Sequence, residues 1–128
     1  MAAEKVITID GKEWHLRANA LVPRMYRFNF GRDMFADMMA LQKKLEKIEK
    51  SKLSEDEKQL EQFNMADLTV FENTAWCFIR AAGKENVGDS PDEWLETLDS
   101  MFSIYEVLPE ILDLWVMSTD TTSIEAKK

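Results

Sequence analysis

The clearest pattern of apolar and polar positions lies near the C-terminus, between residues 103 and 115. At about 100° per residue, a helix through this segment gathers its large apolar side chains on one broad face and its acids on the opposite face. The apolar face consists of Ile104, Val107, Leu108, Ile111, Leu112 and Trp115. A face this wide is either part of the core or a docking surface for a partner. Pro109 lies inside the segment and is expected to kink the helix or to split off its first turn.

Residues 5–18 have the alternating pattern of a β-hairpin. The dipeptide Asp10-Gly11 is typical of a two-residue type I′ turn, and such a turn pairs Ile9 with Lys12. The resulting register places one set of apolar side chains on a single face: Ile7, Ile9, Trp14 and Leu16. Because a hairpin alone is only marginally stable in water, this face must pack on helices of the same chain or join the sheet of another chain. The sequence leaves both alternatives open.

Helical spacing begins after the hairpin. Pro23 fits the first turn of a helix, and Gly31 fits its C-terminal cap. A second helix is expected from about Asp33, with a narrow apolar seam like that of a coiled coil. The seam consists of Met34, Met38, Leu41, Leu45 and Ile48. Ser54 and Glu57 then form a capping-box pattern, which predicts the start of a third helix.

The third helix is predicted from a long run of apolar residues at helical spacing, with a break near Asn64 as an alternative. The run consists of Leu60, Phe63, Leu68, Phe71, Ala75, Phe78 and Ala82. Lysines dominate residues 43–52 and acids dominate residues 55–61, which favours an antiparallel helical hairpin. Residues 90–93 combine an N-cap, a first-turn proline and a capping-box acid, so a fourth helix should begin there. Its apolar side would be formed by Trp94, Leu95, Leu98, Met101 and Phe102.

These elements predict a mainly α fold, in which a small N-terminal β-hairpin is followed by an antiparallel bundle of about five helices. The chain of 128 residues suits one domain. We expect a single helical domain over residues 1–118 and a flexible, mobile tail over residues 119–128, because apolar periodicity stops after Trp115. No apolar run approaches the roughly 20 residues that a membrane span needs, so no membrane association is predicted.

The net charge of −8 is concentrated at one end of the chain. Residues 1–84 contain 14 Lys or Arg and 13 Asp or Glu, whereas residues 85–128 contain 11 Asp or Glu and only Lys127 and Lys128 as bases. An acidic third would repel a phosphate backbone, so nucleic-acid binding is disfavoured. The acids suit a basic protein partner, or they form a solvated surface that keeps the protein soluble.

The sequence shows no catalytic apparatus. It contains one histidine, His15, and one cysteine, Cys77, at no metal-ligand spacing, and it lacks a Gly-rich phosphate loop. A nucleophile pair of Cys77 and His15 stays open from sequence alone, although no surrounding motif supports it. Acid pairs such as Glu106 with Glu110 fall on predicted solvent faces. We therefore predict no enzyme activity, no cofactor and no metal.

Binding of a protein partner is the better prediction. Met39 lies off the apolar seam of its helix, and methionine-rich surfaces suit varied apolar partners. Trp115 lies beside the polar tail, and aromatic side chains often anchor interfaces. The predicted partner-binding residues are Met39, Ile104, Leu108, Ile111, Leu112 and Trp115.

Four stretches of sequence, distributed over most of the chain, resemble a known protein family. They are VITIDGKEW (6–14), PRMYRFNFGRDMF (23–35), DLTVFENTAW (67–76) and SIYEVLPEILDLW (103–115). In this order they resemble tail assembly chaperones of long-tailed, siphovirus-type bacteriophages and prophages of Gram-positive hosts. The Lys/Glu-rich residues 43–61 depart from that family, since they suggest a lengthened helical hairpin.

The resemblance implies a protein that binds the tape measure protein, keeps it soluble and assists polymerisation of the tail tube around it. It further implies the major tail tube protein as a second partner, self-association, and absence from the mature virion. No signal-peptide pattern follows Met1, and the lone cysteine fits a reducing compartment, so the host bacterial cytoplasm is the expected location. The alternatives are a head–tail connector or minor tail protein retained in the virion, and a small helical adaptor.

Overall fold

A computed structural model describes residues 3–57, 65–101 and 103–126, and the side chains within residues 3–57, 68–101 and 103–118. The described part is mostly helical, with one antiparallel β-hairpin at its N-terminus. The strands are β1 (Ala3–Ile9) and β2 (Lys12–Ala18). The helices are α1 (Leu21–Phe30), α2 (Met34–Glu49), α3 (Met65–Ala82), α4 (Pro91–Leu95), a 3-10 helix (Ser103–Val107) and α5 (Leu108–Ala126).

The predicted hairpin and its register are confirmed. Ile9 pairs with Lys12 and Ile7 pairs with Trp14. Asp10 and Gly11 have φ angles of 53° and 82°, so both central residues of the turn are left-handed, as a type I′ turn requires. The inward face of the hairpin is buried against α3, the 3-10 helix and α5 of the same chain. The hairpin therefore packs within its own chain.

The junction between α1 and α2 follows the predicted capping signals. Gly31 has a φ of 65° and donates its N–H to the carbonyl of Arg27, which ends α1. Asp33 then caps α2 by accepting the N–H groups of Phe35 and Ala36. Of the predicted α2 seam, Leu45 is half-buried and the other members are buried: Met34, Met38, Leu41 and Ile48.

The capping box at Ser54 is also confirmed. The Glu57 N–H donates to Ser54 Oγ at 3.2 Å, and the Ser54 N–H donates back to Glu57 Oε1 at 3.3 Å. Helix α3 is described over Met65–Ala82. The predictions for Leu60, Phe63 and Asn64 lie outside the described residues. The acidic half of the predicted helical hairpin lies only partly within them.

The fourth predicted helix is much shorter than its sequence pattern suggested. Ser90 caps it, but α4 ends at Leu95 and does not continue toward residue 102. The reason is a long-range contact, since the Asp99 N–H and the Ser103 hydroxyl both donate to the carboxylate of Asp10 in the hairpin turn. Met101, which was predicted to face the core, is 86% exposed, so that prediction is wrong.

The C-terminal segment is split at the predicted place. The 3-10 helix ends at Val107, and α5 begins at Leu108 with Pro109 in its first turn, where a missing N–H costs little. Helix α5 continues to Ala126, well past the boundary at residue 118 that the sequence pattern suggested. Mobility of the last residues stays a prediction. Within the described ranges, none of the helices has the length and apolar character needed to cross a bilayer.

Candidate functional site

Most of the predicted partner-binding residues lie in the core. The side chains of Ile104, Leu108, Ile111 and Trp115 are at most 3% exposed. These side chains pack against the chain's own core, and Leu108 also lines a groove at the surface. The structure thus favours the first of the two alternatives that the sequence left open for this face.

The other two predicted residues remain accessible. Met39 is 49% exposed, as its position off the seam predicted, and Leu112 is half-buried. They lie on α2 and α5, which are joined by Trp115. The Trp115 indole N–H donates to Gln42 Oε1 at 2.9 Å, and its ring lies 5.3 Å from the ring of Phe35.

An apolar groove opens where the C-terminal half of α2 meets the start of α5, with a volume of about 400 Å³. We call it the α2–α5 groove. Its apolar lining consists of Leu45, Phe71, Tyr105, Leu108, Pro109 and Leu112. Phe71 and Leu108 are fully buried side chains, so they form the floor, whereas Tyr105 is exposed at the edge. The helices run antiparallel here, since the start of α5 lies beside the end of α2 and Trp115 lies beside Phe35.

The charged residues in the lining of the groove are both acidic. Glu46 and Glu49 complete the lining, and Glu46 also borders a depression that is lined by lysines of α2. Both glutamates are exposed, and Glu106 is an exposed acid next to Tyr105 in the 3-10 helix. A groove with an apolar floor and an acidic rim suits a ligand that combines apolar side chains with positive charge.

The edge of α2 extends the apolar surface beyond the groove. Phe35, Met39, Glu46 and Glu49 recur at helical spacing along this edge, and Phe35 and Met39 are each about half-exposed. From Phe35 to Glu49 the edge spans about 21 Å at the standard helical rise. A helix of a few turns is therefore an occupant of matching length.

Two larger depressions, each of about 510 Å³, have a different character. One lies at the outer edge of the hairpin and is lined largely by charged residues, among them Glu4, Arg17 and Lys84. The other follows the lysines of α2. Neither has the aromatic and aliphatic lining of the α2–α5 groove, which makes the groove the stronger candidate for recognition of an apolar ligand.

Cys77 and His15, the nucleophile pair that the sequence left open, share no hydrogen bond in the described part of the chain. Cys77 is buried in α3, and burial raises the pKa of its thiol to about 12, which disfavours the nucleophilic thiolate. His15 is engaged elsewhere, since Nδ1 lies 2.7 Å from Glu85 Oε2 and its backbone N–H donates to the same carboxylate. The described residues contain no cluster of three His, Cys, Asp or Glu that could hold a metal ion.

Sequence reasoning found part of the site. It identified Leu108 and Leu112 in the lining of the groove and the off-seam Met39 beyond it. It treated Leu45 and Phe71 as core positions of separate helices and did not single out Tyr105. These side chains meet only because α2, α3 and α5 pack together, and helical periodicity carries no information on that packing. Phe35, an aromatic residue off the seam and four positions before Met39, was an available signal for the apolar edge of α2.

No protein-family model matches the chain, and no curated protein or solved structure shows significant similarity to it.

Proposed function

We propose that this protein is a tail assembly chaperone of a long-tailed phage or prophage, which binds helical segments of the tape measure protein in the α2–α5 groove. The observation that carries the proposal is the groove itself, with its apolar floor and its acidic rim of Glu46 and Glu49. The resemblance of four sequence stretches to that family supplies the identity of the client. Binding alone would accomplish the task, without catalytic chemistry.

The groove suits a holding function because it offers a limited contact. Burying one large apolar side chain contributes about 1.5–3 kcal/mol, so a groove of this size supports only a weak contact with each client segment. Several such contacts along a long client add up through avidity, yet each one can be released separately. Tail-tube subunits could then replace the chaperone step by step as the tube grows.

The proposal includes three finer interpretations. The helices form one antiparallel bundle that covers the inner face of the hairpin. The protein acts in the cytoplasm of the bacterial host. It leaves the assembly before the virion is complete, which distinguishes it from a head–tail connector or minor tail protein and is checked by mass spectrometry of purified virions.

Co-expression with the tape measure protein tests the proposal, scored by the solubility of the client and by co-purification. The informative variants are Leu112→Asp and the double charge reversal Glu46→Lys/Glu49→Lys, because both change the groove while sparing the buried floor. Met101→Asp is the matched control, since Met101 is an exposed apolar side chain outside the groove. We expect the wild type and the control to keep the client soluble and both groove variants to lose it.

Deletion of residues 103–126 is not a useful alternative, because Ile104, Ile111 and Leu114 belong to the core. Thermal unfolding and far-UV circular dichroism should confirm that each point variant is folded. A client that is equally soluble with wild type and with folded groove variants would contradict the groove as the binding site. A client that stays insoluble with the wild type would contradict the chaperone function.

A further inference from the structure

The carboxamide of Gln42 lies in the middle of the edge of α2 that carries Phe35 and Met39. Gln42 follows Met39 by three residues and precedes Leu45 by three, so it lies on the same side of the helix, about 4.5 Å along the axis from each. Its side chain is half-buried. The apolar surface formed by the α2–α5 groove and this edge is therefore interrupted by one carboxamide.

The orientation of this carboxamide is fixed by Trp115. The indole N–H of Trp115 donates to Gln42 Oε1 at 2.9 Å. An indole nitrogen can only donate, so the amide oxygen must face Trp115 and the amide nitrogen Nε2 must point away from it. The Trp115 ring is itself held, since it is 3% exposed and its centroid lies 5.3 Å from that of the Phe35 ring. Gln42 therefore presents its amide in one orientation before any ligand binds.

The N–H donors on Nε2 of Gln42 are unused. Within the described residues, the bond from Trp115 is the only hydrogen bond of the Gln42 side chain. Nε2 is not one of the buried polar atoms that lack a partner, so it is open to solvent. A helix that covered this point with an apolar side chain would exclude water and leave the donors unpaired, which opposes binding. A helix with a hydrogen-bond acceptor at this point avoids that penalty.

We propose that Gln42 is a specificity-determining residue of the client-binding surface, and that it selects client helices with an asparagine or glutamine at its level. A carboxamide is the complementary group, because its oxygen accepts from Nε2 and its nitrogen donates to the second lone pair of Oε1. The inference rests on the proposed function and adds the chemistry that the site recognises. It does not depend on the charges around the groove.

The neighbours of Gln42 define the pattern of the client helix. Met39 and Leu45 lie on either side of Gln42 along α2. A helix packed along this edge should therefore carry apolar side chains three or four residues before and after its carboxamide. A single polar residue inside an apolar seam fixes the register of packed helices, because a shifted register buries it against apolar groups. The client segment is thus held in one register and does not slide along α2.

Binding of overlapping tape measure peptides to the full-length protein tests the inference, measured by isothermal titration calorimetry. Peptides of about 20 residues exceed the length of the α2 edge when helical. We expect those that bind to contain a carboxamide residue flanked by apolar residues at the stated spacing. Gln42→Glu should weaken their binding by about tenfold, because its carboxylate still accepts from Trp115 but has an oxygen in place of the donor Nε2. Thermal unfolding of this variant should stay close to wild type for the same reason.

An exchange of preference completes the test. Gln42→Leu should bind the unmodified peptide more weakly than wild type does, and should prefer a peptide whose carboxamide residue is replaced by leucine. Lys43→Leu is the matched control, since Lys43 is exposed and lines the lysine depression of α2, and it should keep the preference of wild type. Equal binding of peptides by wild type and folded Gln42→Glu, or an unchanged preference in Gln42→Leu, would overturn this inference alone. Absence of binding by every peptide would overturn the proposed function together with it.

Discussion

Asp10 and Asp37 are single side chains that each join two parts of the fold. Asp10 lies in the hairpin turn, and its carboxylate accepts hydrogen bonds from Asp99 N–H at 2.9 Å and from Ser103 Oγ at 2.6 Å. Asp37 accepts both Nε and Nη2 of Arg32 and the hydroxyl of Tyr26, which connects α1 to α2. Burial and the hydrogen bond to Asp37 raise the pKa of the Tyr26 phenol, which stays a neutral donor.

Replacement of Asp10 tests the connection between the hairpin and the C-terminal segment. Asp10→Ala removes the acceptor of two hydrogen bonds, leaves the buried Ser103 hydroxyl with one partner fewer, and puts alanine at a positive φ. We expect a loss of about 2–3 kcal/mol in the free energy of unfolding, measured by urea denaturation. Asp10→Asn tolerates the left-handed turn and keeps an oxygen acceptor, so it should retain most of the stability. Equal stabilities of the two variants would contradict this role of the carboxylate.

The Asp37 carboxyl should make stability depend on pH. Hydrogen bonds from Arg32 hold its pKa below the usual range, against the opposing effect of burial. Because the folded-state pKa is the lower one, the stabilisation is complete above the unfolded value of about 4 and is lost as the pH falls through the folded value. Asp37→Asn should therefore cost stability at pH 7, and the difference from wild type should shrink as the pH falls below about 4. A difference that stays constant across this pH range would contradict the assignment.

The control for that measurement is Asp113→Asn. Asp113 is exposed and lies 3.7 Å from the Lys5 ammonium, and an exposed ion pair of this kind contributes little. Its replacement should change the free energy of unfolding by less than about 1 kcal/mol.

At the scale of elements, the positions of turns and of helix ends were predictable wherever they depend on a short local signal. The turn at Asp10-Gly11, the cap at Gly31 and the N-cap at Asp33 each depend on neighbouring residues only, and the structure confirms all three. The end of α4 was not predictable, because it is set by Asp10, which lies 89 residues away from Asp99. The groove was hidden for the same reason, since it exists only where separate helices pack together.

The N-cap of α2 offers a test at this scale. Asp33→Ala removes the acceptor for two backbone N–H groups and should destabilise the protein by about 1 kcal/mol. Asp33→Asn should be close to wild type, because asparagine caps helices equally well. Thermal unfolding of the two variants side by side measures the difference, and a neutral Asp33→Ala would show that packing of the Met34 and Met38 side chains alone fixes the start of α2.

At the scale of the whole molecule, the proposed function depends on the α2–α5 groove as the binding site of the client. We expect a soluble helical segment of the client to bind the wild type and to bind folded Leu112→Asp much more weakly, measured by isothermal titration calorimetry. Equal binding by the two proteins would place the client contact on a different surface.

The most direct test of the central claim is site-specific photo-crosslinking in cells that express this protein with the tape measure protein. A photoreactive side chain in place of Tyr105 would lie at the edge of the α2–α5 groove, whereas the same side chain at Met101 would lie outside it. The account predicts a covalent product with the tape measure protein from position 105 and none from position 101. No product from position 105, or equal products from both positions, would contradict it.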